Sequence, residues 1–542
     1  MAPLAHGPAR HRPRQETEVA DSRMSTPPSK QPEWLLSKSF LDLGRQSRLF
    51  CGRKSRALLL IAGCLLVPAW QFTSCRAGRR LDNTCRIKAS TGLRAQVKFL
   101  YFYYYLGLYP VATTREQLVY SAAGARELIA RHGDSLLMEW GHSYRYGSLG
   151  SLFLYLPDAL LTGAPSDATS VRPGNGTAFT LALVALFVAF WFIRQPVLGL
   201  LAVAFLGSNP FQLYEVYGHE NTFCWVITAG LLVLALHVPL LPERKPPRFY
   251  LWAVPLATGA LLATVKQIRP EPVAIVVSAA ACYLALSKTR WRVRLALAGL
   301  LVAAYAVGSW GWSGYFNWKF DQAYRAVKAA GGRPYDGPRA LHHLFWHPIW
   351  CGLGDFDKTR GYEWDDRSAA DYALPILEEK YGVDVPKAKR TEVLFDAYWD
   401  KHGDYYRTPY ELPHYEDVIR DKILHDITRD PLWYLGILAQ RAWRVLSQTT
   451  PPHLSLGTAW VSLPMHGILL LPVLGLLAVR RCWMPFKLLC FTLPLSATAL
   501  LVFSGLGTCY YACYHLFVIA LLGAWLLEAA LRRRPLPASE AR

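Results

Sequence analysis

Apolar runs of sixteen to twenty residues recur along the chain and are separated by short polar loops. Runs of this length predict membrane-spanning helices, since about 20 apolar residues cover the hydrocarbon core of a bilayer. Backbone polar groups in a bilayer must pair within the protein, which favours helices. The sequence therefore predicts an all-α polytopic membrane helix bundle of about 10–12 spans. The predicted spans lie at about 57–72, 97–112, 148–163, 178–193, 196–213, 222–241, 249–266, 271–287, 295–316, 460–479, 486–504 and 511–530. The second and third of these either cross the bilayer or lie at its surface.

Two parts of the chain lack this pattern. Residues 1–56 are rich in Pro, Arg and Ser, which predicts a disordered basic cytoplasmic tail. Residues 317–430 are too long for a loop and predict a small α-rich extracytoplasmic insert. The remaining divisions are an N-terminal transmembrane bundle at 57–316, a C-terminal transmembrane segment at 431–531 and a cytoplasmic tail at 532–542.

The formal net charge of +20 is distributed as in a membrane protein. The insert holds 21 acidic and 17 basic residues, so the excess of positive charge lies elsewhere, mostly at span ends. Short basic loops at 243–248, 288–294 and 480–487 are predicted to be cytoplasmic by the positive-inside rule. The insert and the segments at 113–147, 214–222 and 266–271 are then predicted to be outside. The composition favours a bacterial inner (plasma) membrane, and no nucleic-acid partner is predicted.

The polar segment 113–147 is the first candidate for chemistry. It contains Glu116 and Tyr120, which precede small residues at helical spacing, and later Asp134, Glu139 and His142. An ionisable segment at a membrane face is suited to acid/base chemistry on an amphiphilic substrate. The alternative, a juxtamembrane helix with solvated charges, is equally compatible with the residues.

Two further groups of polar residues lie in predicted external turns. Lys266 and Arg269 follow a span directly, where cations suit a phosphate headgroup or simply extend to the lipid surface. Tyr217, His219 and Glu220 form a compact aromatic and acidic turn that predicts substrate binding.

The insert contains a DxD tripeptide, Asp355-Phe-Asp357. Two such carboxylates can hold a divalent metal, but capping of glycine-rich turns is the favoured interpretation. The histidines at 342, 343 and 347 match no zinc-binding motif, so no metal or other cofactor is predicted. The cysteine pairs Cys75/Cys85 and Cys509/Cys513 are interpreted as free thiols rather than disulfides.

These motifs together resemble the GT-C superfamily of integral-membrane glycosyltransferases, the class of protein O-mannosyltransferases and lipid A aminoarabinose transferases. The resemblance covers roughly residues 97–530 and rests on the acidic loop with LPDALL after it, the Ser208-Asn209-Pro210 turn, the Arg-Pro-Glu turn and the long external insert. It implies an inverting enzyme that takes a sugar from a polyprenyl-phosphate donor on the extracytoplasmic side.

The resemblance also assigns roles to residues. Glu116 corresponds to the base, with Tyr120 and Ala123 behind it, and Lys266 or Arg269 would hold the donor phosphate. The family usually has Asp or Asp-Glu where this chain has Arg115-Glu116. Glu139, then Asp134, then Asp82 are the alternative bases.

The implied partners are the donor, an acceptor that is a glycan, lipid or protein, and the bilayer. Two other functions fit the composition. A transporter or flippase of lipid-linked saccharides would place ionisable groups along a path through the bundle. A non-catalytic membrane assembly protein would use residues 317–430 to bind a partner.

Overall fold

The structure is a computed structural model, and it describes part of the chain. The described residues are 57–70, 100–109, 121–131, 150, 152–165, 172–208, 216, 223–240, 247–269, 272–284, 289–331, 345–357, 359–383, 398–399, 405–406, 412, 414–447, 453–456, 459–462, 471–472 and 475.

The described part is predominantly helical, as the sequence predicts. Its main helices, in chain order, are α1 (Ala57–Trp70), α2 (100–106), α3 (122–131), α4 (Leu152–Thr162), α5 (Arg172–Phe192), α6 (Pro196–Ser208), α7 (Phe223–His237), α8 (Arg248–Lys266), α9 (Pro272–Leu284), α10 (Trp291–Ala329), α11 (Trp346–Leu353), α12 (Asp366–Tyr381), α13 (Tyr415–Arg429) and α14 (Pro431–Ser447).

Three described helices are long and apolar enough to cross a membrane: Gly174–Phe192 within α5, α8 and α10. Large apolar side chains on their outer faces, such as Phe249 and Trp310, are 84% and 79% exposed. Such exposure suits contact with lipid rather than water. The prediction of apolar helices long enough to cross a membrane is confirmed for these three helices. The count of 10–12 spans stays a prediction.

Helices α8 and α10 run parallel and approach each other closely through glycine. A Cβ atom on Gly259 would lie 2.6 Å from Ala304 Cβ, and one on Gly308 would lie 2.8 Å from Ala263 Cβ. Further along, the Trp312 indole donates a hydrogen bond of 3.2 Å to Thr264 Oγ1. Small residues permit this approach in membrane helices. The packing of α8 against α10 therefore determines which residues of α10 lie near Lys266. The end of this helix pair that carries Lys266 is called the Lys266 end below.

Helix α10 is longer than a membrane requires. Its 39 residues extend about 58 Å, against a hydrocarbon core of about 30 Å. The helix continues unbroken through residue 317, where the sequence predicts the boundary between span and insert. It continues because Phe316, Phe320, Ala323 and Val327 form an apolar stripe at helical spacing, and all four are buried.

Buried side chains from separate parts of the chain form one aromatic cluster at the Lys266 end. The cluster unites α2, α3 and α4 with the C-terminal half of α10. Its buried members are Leu100, Tyr101, Phe102, Tyr109, Ala125, Ile129, Leu152, Leu154, Tyr155, Ala159, Ile268, Phe316, Phe320, Ala323 and Val327. A second, larger apolar core lies between α5, α6, α7, α8, α9 and the N-terminal half of α10.

The described part of the insert is a helical unit with its own core. Side chains of α11, α12, α13 and α14 pack together, with Trp350, Leu377 and Ile419 among the most buried. Ile437 of α14 belongs to this core, so packing continues beyond residue 430, the end that the sequence predicts.

Two short antiparallel hairpins interrupt the helical pattern. Tyr398–Trp399 pairs with Tyr405–Tyr406, and His453–Leu456 pairs with Ala459–Ser462. The second hairpin occupies the start of the span predicted at 460–479, where alternating residues of high β-propensity form a strand instead. The spans predicted at 486–504 and 511–530 and both predicted tails lie outside the described residues.

The close approach of α8 and α10 predicts a stability difference between two glycine variants. Gly259→Ala forces Cβ against Ala304 and the Leu301 carbonyl and is expected to destabilise the protein by about 1–3 kcal/mol. Gly311→Ala, on an open face of α10, is expected to be neutral or to stabilise by about 0.5–1 kcal/mol. Unfolding of the purified protein in detergent checks this, and equal stability of the two variants would contradict the packing.

Candidate functional site

The described residues on either side of the polar segment 113–147 pack in the aromatic cluster. Before the segment, Tyr109 is buried against the Phe316 ring, with 5.8 Å between ring centroids. After the segment, Leu152 is buried in the same cluster. Tyr109 and Leu152 therefore both lie in the cluster that contains the C-terminal half of α10.

A backbone contact joins Gly150, which follows this segment in the chain, to the turn after α8. The Gly150 N–H donates a hydrogen bond of 2.9 Å to the Gln267 carbonyl oxygen. A Cβ atom at position 150 would lie 2.8 Å from the Gln267 carbonyl carbon, so only glycine fits without displacement. Gln267 lies between Lys266 and Arg269, the two cations predicted to bind phosphate.

The middle of the segment forms helix α3, as the spacing of its small residues predicts. Ser121 Oγ accepts a hydrogen bond from the Gly124 N–H at 3.1 Å and so caps the first turn. Ala125 and Ile129 are buried in the aromatic cluster, whereas Glu127 forms an exposed ion pair with Arg131. The helix thus has one packed face and one solvated face.

The predicted phosphate ligands are in the described part and differ in exposure. Lys266 is exposed, and its Nζ lies 5.6 Å from the centre of the Tyr305 ring. Arg269 is half-buried. Another cation, which the sequence analysis did not single out, is Lys319: its Nζ donates to the Gly107 carbonyl at 2.9 Å, and Gly107 precedes the polar segment in the chain. Only the helical continuation of α10 past residue 317 could have indicated it.

The predicted turn at 214–221 is described at one residue. Val216 is completely buried in the larger apolar core. Shortly after it, Trp225 packs against both cores and donates a hydrogen bond of 2.8 Å to Asn175 Oδ1.

Most of the predicted site residues lie outside the described residues. These are Glu116, Tyr120, Asp134, Glu139, His142, Tyr217, His219 and Glu220, together with Asp82. Their roles stay predictions, and the structure contributes the positions of their described neighbours. Both cysteine pairs, Cys75/Cys85 and Cys509/Cys513, also lie outside the described residues.

In the insert, the two carboxylates of the DxD tripeptide have separate partners. Asp357 accepts backbone hydrogen bonds from Thr359, Arg360 and Tyr362 at 2.9–3.1 Å, and one from the Trp433 indole at 3.2 Å. Asp355 instead forms an ion pair of 3.1 Å with Arg444. At Asp357 the geometry is that of turn capping, the interpretation favoured from the sequence. A divalent metal at Asp355 and Asp357 stays an untested hypothesis.

These contacts favour the ionised form of Asp357. Burial acts to raise the pKa of Asp357, but the backbone hydrogen bonds and the Trp433 indole outweigh burial and hold it below its ordinary value of 3.8. The folded state therefore binds this proton less tightly than the unfolded chain. The stabilisation is fully present above the unfolded pKa and is lost as the pH falls through the folded pKa.

A second carboxylate, Asp426, fastens α13 to the same turn. It accepts hydrogen bonds from the Tyr362 hydroxyl at 2.8 Å and from Lys422 Nζ at 2.9 Å, and Arg360 lies 3.5 Å away. Burial acts to raise the pKa of Asp426, yet these donors and charges lower it. Burial, followed by Asp426, raises the pKa of Tyr362. These hydrogen bonds and ion pairs hold α13 against Arg360 and Tyr362, so the role of the network is structural.

A cavity of about 300 Å³ opens beside this network. It lies between α12 and α13 and has both acidic and basic walls. Its lining residues are Tyr372, Ile376, Lys380, Val418, Asp421, Lys422, His425 and Asp426.

His347, Cys351 and Asp366 meet elsewhere in the insert, within 4.8 Å of one another by their ligand atoms. Burial, then the Asp366 charge, raises the pKa of the Cys351 thiol to about 12. A thiol is a poor nucleophile, so this Cys/His pair lacks the activation that covalent catalysis requires.

The capping role of Asp357 predicts a pH-dependent loss of stability. Asp357→Asn is expected to cost about 1.5–3 kcal/mol near neutral pH, because hydrogen bonds to a charged acceptor are replaced by weaker ones. The difference from wild type should shrink as the pH falls below about 4. Asp421→Asn, which removes only an exposed ion pair with Arg420, is the control and should cost less than about 1 kcal/mol. Unfolding followed by tryptophan fluorescence checks this, and a pH-independent difference would contradict it.

Comparisons of the chain with protein-family profiles, with curated proteins and with solved structures found no match.

Proposed function

We propose that the chain is a membrane glycosyltransferase that moves a sugar from a polyprenyl-phosphate donor to an acceptor on the extracytoplasmic side. The observation that supports it most is a contact between the turn after α8 and Gly150, which follows the polar segment 113–147. The Gly150 N–H donates to the Gln267 carbonyl oxygen, and Gln267 lies between Lys266 and Arg269. In the proposal, the acids of the segment lie near these two cations and act as the base, while the cations bind the donor phosphate.

The proposed chemistry is a single displacement with inversion. Glu116 accepts the proton of the acceptor hydroxyl while that oxygen bonds to the anomeric carbon. The bond from this carbon to the lipid phosphate oxygen breaks, and the phosphate departs with the electron pair. A carboxylate also stabilises the oxocarbenium-like transition state. Lys266 and Arg269 balance the negative charge on the leaving phosphate.

The membrane setting suits a donor with a prenyl chain. Lys266 lies at the end of an apolar helix and above the Tyr305 ring, so a phosphate bound there would have its lipid beside α8 and α10. Val307 and Trp310 follow Tyr305 on α10, and their apolar side chains are exposed. In the proposal, the prenyl chain lies against them. Each buried CH₂ of the prenyl chain would contribute about 0.8 kcal/mol.

The proposal includes a location. The protein is a multi-pass protein of a bacterial inner membrane, and the Lys266 end lies on the extracytoplasmic side. The parallel course of α8 and α10 supports a common side for the turn at 266–269, the polar segment and the start of the insert. Among the described residues of α5 to α10, no Asp, Glu, Lys or Arg side chain is buried, although polar side chains such as His237 and Thr258 are. This fits an enzyme with a site at one face better than a transporter with charged groups along a path.

The base assignment predicts a selective loss of rate. Glu116→Gln is expected to lower the rate of sugar transfer by about 10²–10⁴, since it removes the proton acceptor, while donor binding is retained. Glu127→Gln, in the same segment but in an exposed ion pair, is the control and should retain activity. Purified protein in nanodiscs with radiolabelled polyprenyl-phosphate sugars provides both readouts. An active Glu116→Gln enzyme would move the assignment to Glu139, and failure of wild type to bind any such donor would refute the proposed function.

The phosphate assignment predicts weaker donor binding. Lys266→Met keeps the apolar stem but removes the charge, and it is expected to raise the donor Kd about 10- to 150-fold, because a charge-assisted hydrogen bond contributes about 1.5–3 kcal/mol. Lys328→Met, in the last turn of α10, is the matched control. Binding of a radiolabelled donor measures the effect. Unchanged affinity in Lys266→Met would mean that this lysine serves only the lipid headgroups.

A further inference from the structure

The insert contains three side chains of different chemistry arranged around one point. His347 and Cys351 lie one turn apart on α11, and Asp366 is the first residue of α12. The distances are 3.0 Å from His347 Nε2 to Asp366 Oδ1, 3.9 Å from Nε2 to Cys351 Sγ and 3.8 Å from Sγ to Oδ1. Ligand atoms of a tetrahedral zinc site are separated by about 3.3–3.8 Å, given bonds of about 2.0–2.3 Å. The triangle therefore needs only small shifts to surround a zinc ion.

A second set of contacts holds the histidine from behind. The Nδ1 atom of His347 lies 2.9 Å from the Tyr415 hydroxyl, on the side of the ring away from Cys351 and Asp366. Zinc-bound histidines almost always use their second nitrogen in this way, which fixes the ring and its tautomer. The neighbouring Glu416 carboxylate accepts backbone N–H bonds from Phe345, Trp346 and His347 at 2.8–3.0 Å. The first turn of α13 thus fixes both the ring and the backbone of His347.

The burial of these three side chains also matches that of a set of metal ligands. His347 is 5% exposed and Cys351 8%, whereas the Asp366 side chain is 44% exposed. Two ligands are thus shielded, and the carboxylate side is open to water, which can complete four-coordination. The mixture of thiol, imidazole and carboxylate suits borderline-soft Zn²⁺ and not Mg²⁺ or Ca²⁺, which require mostly oxygen ligands.

We propose that His347, Cys351 and Asp366 bind a Zn²⁺ ion, with water as fourth ligand, and that the ion clamps α11 to the start of α12. Cys351 loses its thiol proton to solvent when it binds. His347 coordinates through Nε2 and carries its proton on Nδ1, from which it donates to the Tyr415 oxygen. The ion would close the loop at 354–365, which contains the Asp357 turn, and its role is to stabilise the insert.

This site is independent of the proposed sugar transfer, so its test uses metal binding as the readout. The full-length protein in detergent, stripped with a chelator, is titrated with Zn²⁺ in competition with a chromophoric chelator. One equivalent is expected to bind, with a rise in the unfolding temperature, and excess Mg²⁺ should not displace it. Titration with Co²⁺ should give a thiolate-to-cobalt charge-transfer band.

Two variants, each with a control, distinguish the site from adventitious binding. Cys351→Ser should abolish the cobalt charge-transfer band, whereas Cys64→Ser, in α1, should retain it. Tyr415→Phe should weaken Zn²⁺ binding by about 10–100-fold, the usual effect of losing an outer-shell partner. Tyr434→Phe, in the same core, should bind as wild type does. The absence of one-equivalent binding in the wild type, or wild-type binding and an unchanged band in Cys351→Ser, would overturn the proposal. Circular dichroism of each metal-free variant confirms that it has folded.

Discussion

The close packing of α8 against α10 is the constraint on which the rest of the described structure depends. Glycines at 259 and 308 remove the side chains that would separate the two helices. Because the helices are parallel, the turn after α8 lies beside the C-terminal half of α10. Ile268 and Phe316 consequently belong to one aromatic cluster, which also contains Tyr109 and Leu152 on either side of the polar segment.

The sequence predicted the apolar helices well because their signal is local. Runs at 178–193 and 249–266 correspond to helices at Arg172–Phe192 and Arg248–Lys266. Boundaries set by a change of composition were less accurate. The insert was predicted to begin at 317, but α10 extends to Ala329 because its polar half retains an apolar stripe. The strand at Ala459–Ser462 was missed because a short apolar run has no distinctive period.

The candidate sites show a similar division. The helical spacing around Ala125 was visible in the sequence because it is a local signal. The roles of Lys266 and Arg269 stay predictions. The sequence could not identify the Gly150–Gln267 contact, which joins residues far apart in the chain. Nor could it find the triangle of His347, Cys351 and Asp366, because the Asp366 ligand arrives from another helix and matches no spacing motif. Asp357 was correctly interpreted as a turn cap because the glycines around it were informative.

The central claim is that the polar segment and the turn after α8 surround one donor site. A polyprenyl-phosphate sugar with a photoreactive group beside its phosphate tests this most directly, in nanodiscs and with mass-spectrometric mapping of the adducts. The account predicts adducts in both 113–147 and 266–271, and their loss when unlabelled donor is added in excess. Adducts confined to the insert at 345–447, or scattered over the outer faces of α8 and α10 and unaffected by competitor, would contradict it.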